Sequence, residues 1–469
     1  MTGVAGDLTG RRVTVFGFGR REGVSLVRFL AAEGAQILVS DRLPASELVD
    51  SLAAVAGLPV HFNLGGHDAD RILDWSEEVF VSPVIPRSLP LLQEAVRRGI
   101  PLSSEVEVFF QRCPAPIIGI TGSAGKTTTT TIVGCMLELS GCPVIVGGNI
   151  GRPLLDTLQA LTPQHTVVME LSSFQLQPMQ DSPHGAVVTN VTPNHLDRHG
   201  SMGEYIEAKR QIVHHQQPID WAVLNAADPQ VQSFAGSTLA RVAWFSIDEP
   251  VPDADAAYAA DGQIVLRQAG KVRSVSPLAA LQLRGRHNQE NVLAATLAAA
   301  LAGATDGAIA SVVATFSGVE HRLQLVGDIR GARFYDDSIA STPERLLAAL
   351  HSFTEPLVVI AGGRDKHLPW SEAADALCRQ CHTIVLTGEA RDLIGRALSA
   401  AAARVGALPS MVDAPQFDDA VQAAIGASRP GDAVLLSPGC TSFDQFVDFA
   451  ARGRRFAQIV VASPDFQRC

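Results

Sequence analysis

The run Gly119-Ile-Thr-Gly-Ser-Ala-Gly-Lys-Thr-Thr128 sets a lysine and two hydroxyls directly behind a glycine-rich turn. An apolar strand feeds the turn and a Thr-rich helical start follows it. Glycines let a backbone wrap a phosphate, and the amides of a helix N-terminus point at it. Lys126 would reach terminal phosphates, and the Thr127 hydroxyl would ligate Mg²⁺. Ile120 stands where the first Gly of G-x-x-x-x-G-K-[ST] belongs, so the compact form Gly122-x-x-Gly125-Lys126-Thr127 carries the reading. Phosphate binding is therefore expected along Gly122, Ser123, Ala124, Gly125, Lys126, Thr127 and Thr128.

Three further clusters could do chemistry. Glu170 ends the apolar run Val167-Val-Met169, at the C-terminal strand end where open α/β sheets bind ligands. A carboxylate there can hold Mg²⁺; alone it would read as a neighbour of a helix N-cap. Asn190-Val-Thr-Pro-Asn-His-Leu-Asp197 is followed by Ala208-Lys-Arg210. From spacing alone, His195 and Asp197 are metal or substrate ligands or turn caps, and Lys209 is functional or simply solvated. Gly17-Phe-Gly-Arg-Arg-Glu-Gly23 follows the first strand, with Asp41 at the end of the next. The third glycine is one residue late for G-x-G-x-x-G, which narrows the expectation to a diphosphate or nucleotide on this helix N-terminus.

Apolar β-branched runs alternating with Ala/Leu-rich amphipathic stretches must position these residues, the βαβ pattern of parallel α/β sheets. Strands are expected at 12–16, 36–40, 78–82, 117–120, 167–169, 186–190, 222–224, 357–361, 383–387 and 433–436. Cys113-Pro-Ala-Pro116 interrupts the pattern, and a third unit begins near Gly318. The expected domains are 1–113, 114–318 and 319–469, each α/β. Length agrees: 469 residues suggest about three domains. With 46% apolar and 18% charged residues the chain is globular. Lys plus Arg total 37 and Asp plus Glu 48, a net charge of -11, which argues against a nucleic-acid or anionic-membrane surface but not against a local anion site. No secretory h-region is visible, and the Ala-rich 292–303 stretch is too short to span a bilayer. Seven cysteines are no disulfide framework; Cys378 and Cys381 are expected as two small buried residues on one helix. A reducing cytoplasm and a monomer are the expectations.

Taken in order, these motifs resemble the Mur ligase family over essentially the whole chain. The match adds Ser82-Pro83, Gly147-Gly-Asn-Ile-Gly151, Glu170-Leu-Ser-Ser-Phe-Gln175, His287-Asn288-x-x-Asn291, His321-Arg322, Asp337-Ser338, Gly362-Gly-x-Asp-Lys366 and Ser437-Pro-Gly-Cys-Thr-Ser-Phe-Asp-Gln-Phe446. The resemblance, strongest to the glutamate-adding branch, implies a Rossmann-like N-terminal domain, a P-loop-type central ATPase domain and a Rossmann-like C-terminal domain. It implies an ATP-dependent ligase that joins D-glutamate to UDP-N-acetylmuramoyl-L-alanine through an acyl phosphate. Gly17, Gly19, Arg20, Asp41, Arg42, Asn149, Ser172 and Gln175 would bind the UDP substrate. Asn288, Asn291, Arg322 and Asp337 would join the glycine loop on ATP. Thr127, Glu170, His195 and Lys209, the last as a carbamate, would surround two Mg²⁺ ions. Lys126, His195 and Lys209 would be catalytic. Ser341, Lys366, Ser442 and Phe449 would hold glutamate.

One departure stands out. The family run Lys-Ala-Thr-Asn after the Asp-Ser pair is here Ile339-Ala-Ser-Thr342. A lysine is absent from the amino-acid pocket, with Arg364 or Arg345 as replacement, and the alternatives are the same reaction with L-glutamate or another Mur or folylpolyglutamate-type ligase.

Overall fold

The computed structural model describes residues 7–19, 21–150, 153–194, 196–248, 253–283, 285–366 and 368–468. They form three α/β sheets. Contacts divide the chain into two units, one running to Leu281 with Arg286–Thr315, the other Gln282–Gly285 with Phe316–Cys469.

The first unit carries two sheets. The N-terminal one uses β1 (Arg12–Phe16), β2 (Gln36–Asp41), β3 (Val60–Leu64), β4 (Glu78–Val81) and β5 (Leu102–Ser103), in the order β3-β2-β1-β4-β5. The second uses β6 (Ile117–Thr121), β7 (Val144–Gly148), β8 (Thr166–Glu170), β9 (Gly185–Val188), β10 (Trp221–Asn225), β11 (Arg241–Ser246), β12 (Ala256–Ala260), β13 (Gln263–Gln268) and β14 (Lys271–Pro277). Its order is β14-β13-β12-β11-β10-β9-β6-β8-β7. Strands such as β6 and β9 are buried along their whole length, the mark of parallel strands covered on both faces. Val106 and Phe109, before the Pro114–Pro116 segment, share an apolar core with Leu154, Leu155 and Val167 after it.

The second unit holds β15 (Gln324–Ile329), β16 (Ala332–Asp336), β17 (Leu357–Gly362), β18 (Cys381–Thr387), β19 (Ser410–Asp413), β20 (Ala433–Gly439) and β21 (Phe466–Gln467). Their order is β19-β18-β17-β20-β16-β15-β21. One face is covered by helices carrying Leu346, Leu377 and Leu398, the other by helices carrying Val421 and Phe456.

All three sheets reverse their winding at one place, and there the crevice for a ligand opens. In the first sheet that place lies between β1 and β4, so the loops at Gly17 and Ser82 meet: a Cβ on Gly17 would lie 3.0 Å from that of Ser82. In the second it lies between β6 and β9, and in the third between β17 and β20.

Some sequence expectations need correction. Cys378 sits on the helix Ser371–Gln380, but Cys381 begins β18, because the chain turns extended at that residue (φ -97°, ψ 139°). Both thiols are buried, as expected. The strand expected to reach Asn190 stops at Val188, because Thr189 and Asn190 turn to bond the glycine loop. The β12–β14 extension, β15 and β21 carry no chemical motif and were not expected.

Candidate active site

The helix Lys126–Leu139 starts directly behind the glycine turn, with Gly125 as its N-cap at φ 82°. A Cβ on Gly125 would lie 2.1 Å from Asn291 Oδ1, and one on Gly122 (φ 154°) would lie 1.9 Å from Thr189 Oγ1. Only glycine fits either position, and the tight packing keeps the helix-end amides aimed at one spot. The β9 end locks the turn: Ala124 N donates to Asn190 Oδ1 at 2.9 Å, and Thr189 Oγ1 donates to Ala124 O at 2.6 Å. Thr128, the third residue of the helix, is buried.

Charged groups converge here. Lys126 Nζ donates to Gly122 O at 3.0 Å and Ser123 O at 3.3 Å, folded back over its own loop. Thr127 Oγ1 donates to Glu170 Oε2 at 2.7 Å. Asn149 Nδ2 donates to Glu170 Oε1 at 2.9 Å, so Asn149 orients this carboxylate. Lys209 is not a solvated lysine: it is 1% exposed, and its Nζ donates to Gly122 O at 2.8 Å. Burial, followed by the charge of Lys126, pushes the Lys209 amine well below the ordinary lysine range, with Glu170 opposing.

Tyr205 was missed by sequence reasoning. Its ring lies 4.7 Å from Lys209 Nζ, and its hydroxyl shares a 2.9 Å hydrogen bond with Ser123 Oγ. Tyr205 and Lys209 are four apart on the helix Met202–His214, a spacing that puts them on one face and could have signalled the pair. Asn291 Nδ2 donates to Asn288 Oδ1 at 3.1 Å on the helix Arg286–Leu301, with Asn291 against Gly125. His195 lies outside the described residues, as does Arg20.

The loop after β1 is built differently. Asp41, 7% exposed, accepts Phe18 N at 2.7 Å and Gly19 N at 3.0 Å on one oxygen and Leu43 N at 2.9 Å on the other. Its carboxylate therefore already accepts two amides of the glycine loop. Arg42 beside it is exposed. Ser172 and Gln175 close a reciprocal cap on the short helix Ser173–Leu176: Ser172 N donates to Gln175 Oε1 at 2.9 Å, and Gln175 N donates to Ser172 Oγ at 3.2 Å. Gln175 also lines a cavity of about 260 Å³ with Ser82, Pro83, Arg87, Phe174 and Arg198. Arg198 spans it, with its guanidinium 4.5 Å over the Phe174 ring and Nη2 donating to Val84 O at 2.5 Å.

In the second unit, the expected residues cluster at the β17/β20 crevice. Asp337, 4% exposed, accepts from Ser437 Oγ at 2.7 Å. Burial pushes its carboxyl up to about 7, against that hydrogen bond and the charge of the exposed Arg322. His321 Nδ1 and Asp336 Oδ2 are 2.7 Å apart in the interior. Lys366 Nζ donates to Ser341 Oγ at 3.3 Å. Ser442 is buried, and Phe449, which opens the helix Phe449–Val461, is half-exposed.

Three family models match in order: the Mur ligase MurD-like N-terminal domain over residues 11–104, the Mur ligase middle domain over 120–299, and the Mur ligase glutamate ligase domain over 321–440. A protein of Symbiobacterium thermophilum named UDP-N-acetylmuramoylalanine--D-glutamate ligase is 42% identical over 459 residues, 98% of this chain and 100% of that protein. The chain belongs to the Mur ligase family. A Roseiflexus protein of the same name is 40% identical, over 97% of this chain and 99% of its own. The fold is shared with the solved UDP-N-acetylmuramate-alanine ligase MurC from Thermotoga maritima, at TM-score 0.55 and 18% identity over 95% of this chain and 98% of that one. As a Mur ligase, the chain is an ATP-dependent enzyme that forms a carbon–nitrogen bond, and its three sheets correspond to the three matched domains. No described helix is long and apolar enough to cross a membrane.

Proposed function

We propose that this Mur ligase joins D-glutamate to UDP-N-acetylmuramoyl-L-alanine with conversion of ATP to ADP and phosphate, a step in peptidoglycan precursor synthesis. Full-length identity of 42% to a protein named for that reaction carries the reading. The substrate carboxylate attacks the γ-phosphorus, ADP departs, and an acyl phosphate forms. The glutamate amine attacks the acyl carbon, loses its proton, and phosphate leaves as the amide forms. No enzyme nucleophile is needed. Charge on the transferring phosphoryl group is met by the amides of Gly122–Thr128 and by Lys126, which must swing from its own loop carbonyls to reach it.

The oxygen donors Thr127 and Glu170, 2.7 Å apart, suit a hard cation. Mg²⁺, in two sites, would be held by them with His195 and carbamylated Lys209, and would supply charge neutralisation. Burial and the charge of Lys126 lower the Lys209 amine, toward the neutral form that reacts with CO₂, which supports the carbamate. Asn288, Asn291, Arg322 and Asp337 contact the nucleotide in this reading. Gly17, Gly19, Arg20, Asp41, Arg42, Asn149, Ser172 and Gln175 serve the UDP substrate, and Ser341, Lys366, Ser442 and Phe449 serve glutamate. Domains at 1–113, 114–318 and 319–469, a monomeric state and a cytoplasmic site complete it.

The test is ADP release with UDP-N-acetylmuramoyl-L-alanine plus D-glutamate, L-glutamate or neither. Turnover with D-glutamate is expected. Turnover only with L-glutamate, the second reading favoured by Ile339 in place of the family lysine, would overturn the substrate's hand.

A further inference from the structure

We infer that Arg345 is a specificity-determining residue, pairing with Lys366 to recognise the two carboxylates of a dicarboxylic amino acid over the Ile339–Thr342 turn. The inference rests on the amino-acid pocket of the proposed function. The turn leaves the C-terminal end of β16, beside the β17/β20 crevice. It is pinned from two sides and closed within itself: Ile339 N donates to His321 O at 3.1 Å, Gly439 N to Ala340 O at 2.8 Å, and Ser341 N to Ile339 O at 2.8 Å. Thr342 then caps the helix Pro343–Leu350, and Arg345 lies in its first turn.

From there the Arg345 side chain folds back, with Nη1 donating to Ile339 O at 3.3 Å. Lys366 approaches the same turn from the β17 side, 3.3 Å from Ser341 Oγ. Both are exposed, and among the described residues neither pairs with a carboxylate; their partners are a carbonyl and a hydroxyl.

Two other arginines of this unit, Arg364 and Arg452, are committed. Arg364 makes a two-pronged pair with Glu389, at 3.0 Å on each prong, which neutralises it. Arg452 is buried and holds the scaffold, donating to Ser338 Oγ and O at 2.9 Å and to Cys440 O at 3.1 Å. Arg345 and Lys366 thus reach one turn from two elements, bonded there to a carbonyl and a hydroxyl and not to a described carboxylate. The guanidinium fork suits one carboxylate bidentately, and the lysine supplies a point charge for the other. An amino acid with a single carboxylate satisfies only one of them.

The test uses the full-length enzyme and steady-state ADP release. Arg345→Met should raise the KM for glutamate at least tenfold while the KM values for ATP and the UDP substrate stay within twofold. Its preference for glutamate over glutamine should fall by a similar factor. Arg345→Lys, which keeps the charge but loses the fork, should lie between. A glutamate KM within twofold of wild type in both variants overturns the role of Arg345. Should the Met variant unfold, the Lys variant decides by the same criterion. Wild-type enzyme that turns over neither glutamate enantiomer fails the underlying reading itself, a result distinct from an active wild type with unaffected variants.

Discussion

The loops after β1 and β6 have the same parentage: a buried parallel strand, a glycine turn, a helix, and a partner loop from the far side of a winding reversal. They differ in what fills the turn. After β1, the Asp41 carboxylate takes the amides of Phe18 and Gly19, so the negative charge is built in. After β6, the nearby carboxylate, Glu170, is turned to Thr127 and Asn149, and two lysines lie against the loop carbonyls. The lesson is that a glycine turn alone does not define a phosphate site. Where the fold supplies an internal acid, two of the loop amides are already bonded from within; where it supplies Lys126, a positive charge sits against the loop and the turn can take an external anion.

The largest test of this contrast is Lys126→Ala. It should cut phosphate release by about 10³-fold with an unchanged unfolding midpoint, measured by ADP release and calorimetry. Near-normal turnover would erase the distinction between the loops.

The buried glutamates give the next. Glu78 on β4 is fully buried, its carboxylate 3.3 Å from Arg11. Burial pushes its carboxyl up to about 7, with Arg11 opposing and Glu107 adding. The folded value exceeds the unfolded one, so the fold prefers the protonated acid. Its stability contribution is complete below about pH 4.5 and declines as pH rises to about 7, by up to about 3 kcal/mol. Glu78→Gln should flatten that decline in urea titrations across the window. An unchanged slope would show that Arg11 compensates the charge.

Asp41→Ala removes the acceptor of three amides and should cost about 2 kcal/mol of stability while raising the KM for the UDP substrate more than that for ATP. An equal rise in both would place Asp41 outside the first loop's business. The smallest effect is expected from Tyr205→Phe, which leaves the ring under Lys209 and deletes the bond to Ser123. A loss of about 1 kcal/mol in transition-state binding, read as kcat/KM for ATP, is expected. A null result would assign Ser123's position to its bonds with Thr192 instead.

What was legible in the sequence was local. The strand, glycine turn and helix around Lys126 are encoded within a dozen residues, since glycine freedom, β-branching and helix-start chemistry act over that range. Glu170 was legible because it ends an apolar run, and most buried strands were for the same reason. The resemblance extended this to distant residues in order, from Asn288 to Phe449. Other features were decided by tertiary structure. Asp41 reads only as an acid at a strand end until β2 is laid beside β1, which brings its carboxylate under the Gly17–Gly19 loop. Lys209 reads as either functional or solvated until its helix is packed beneath Gly122. Cys381 reads as helical until the sheet claims it. Arg364 and Arg345 are equivalent in sequence, and only the fold neutralises one against Glu389 and leaves the other over the Ile339 turn. The reason is common to all four: burial and charge pairing are set by neighbours tens of residues away, and no local pattern carries them.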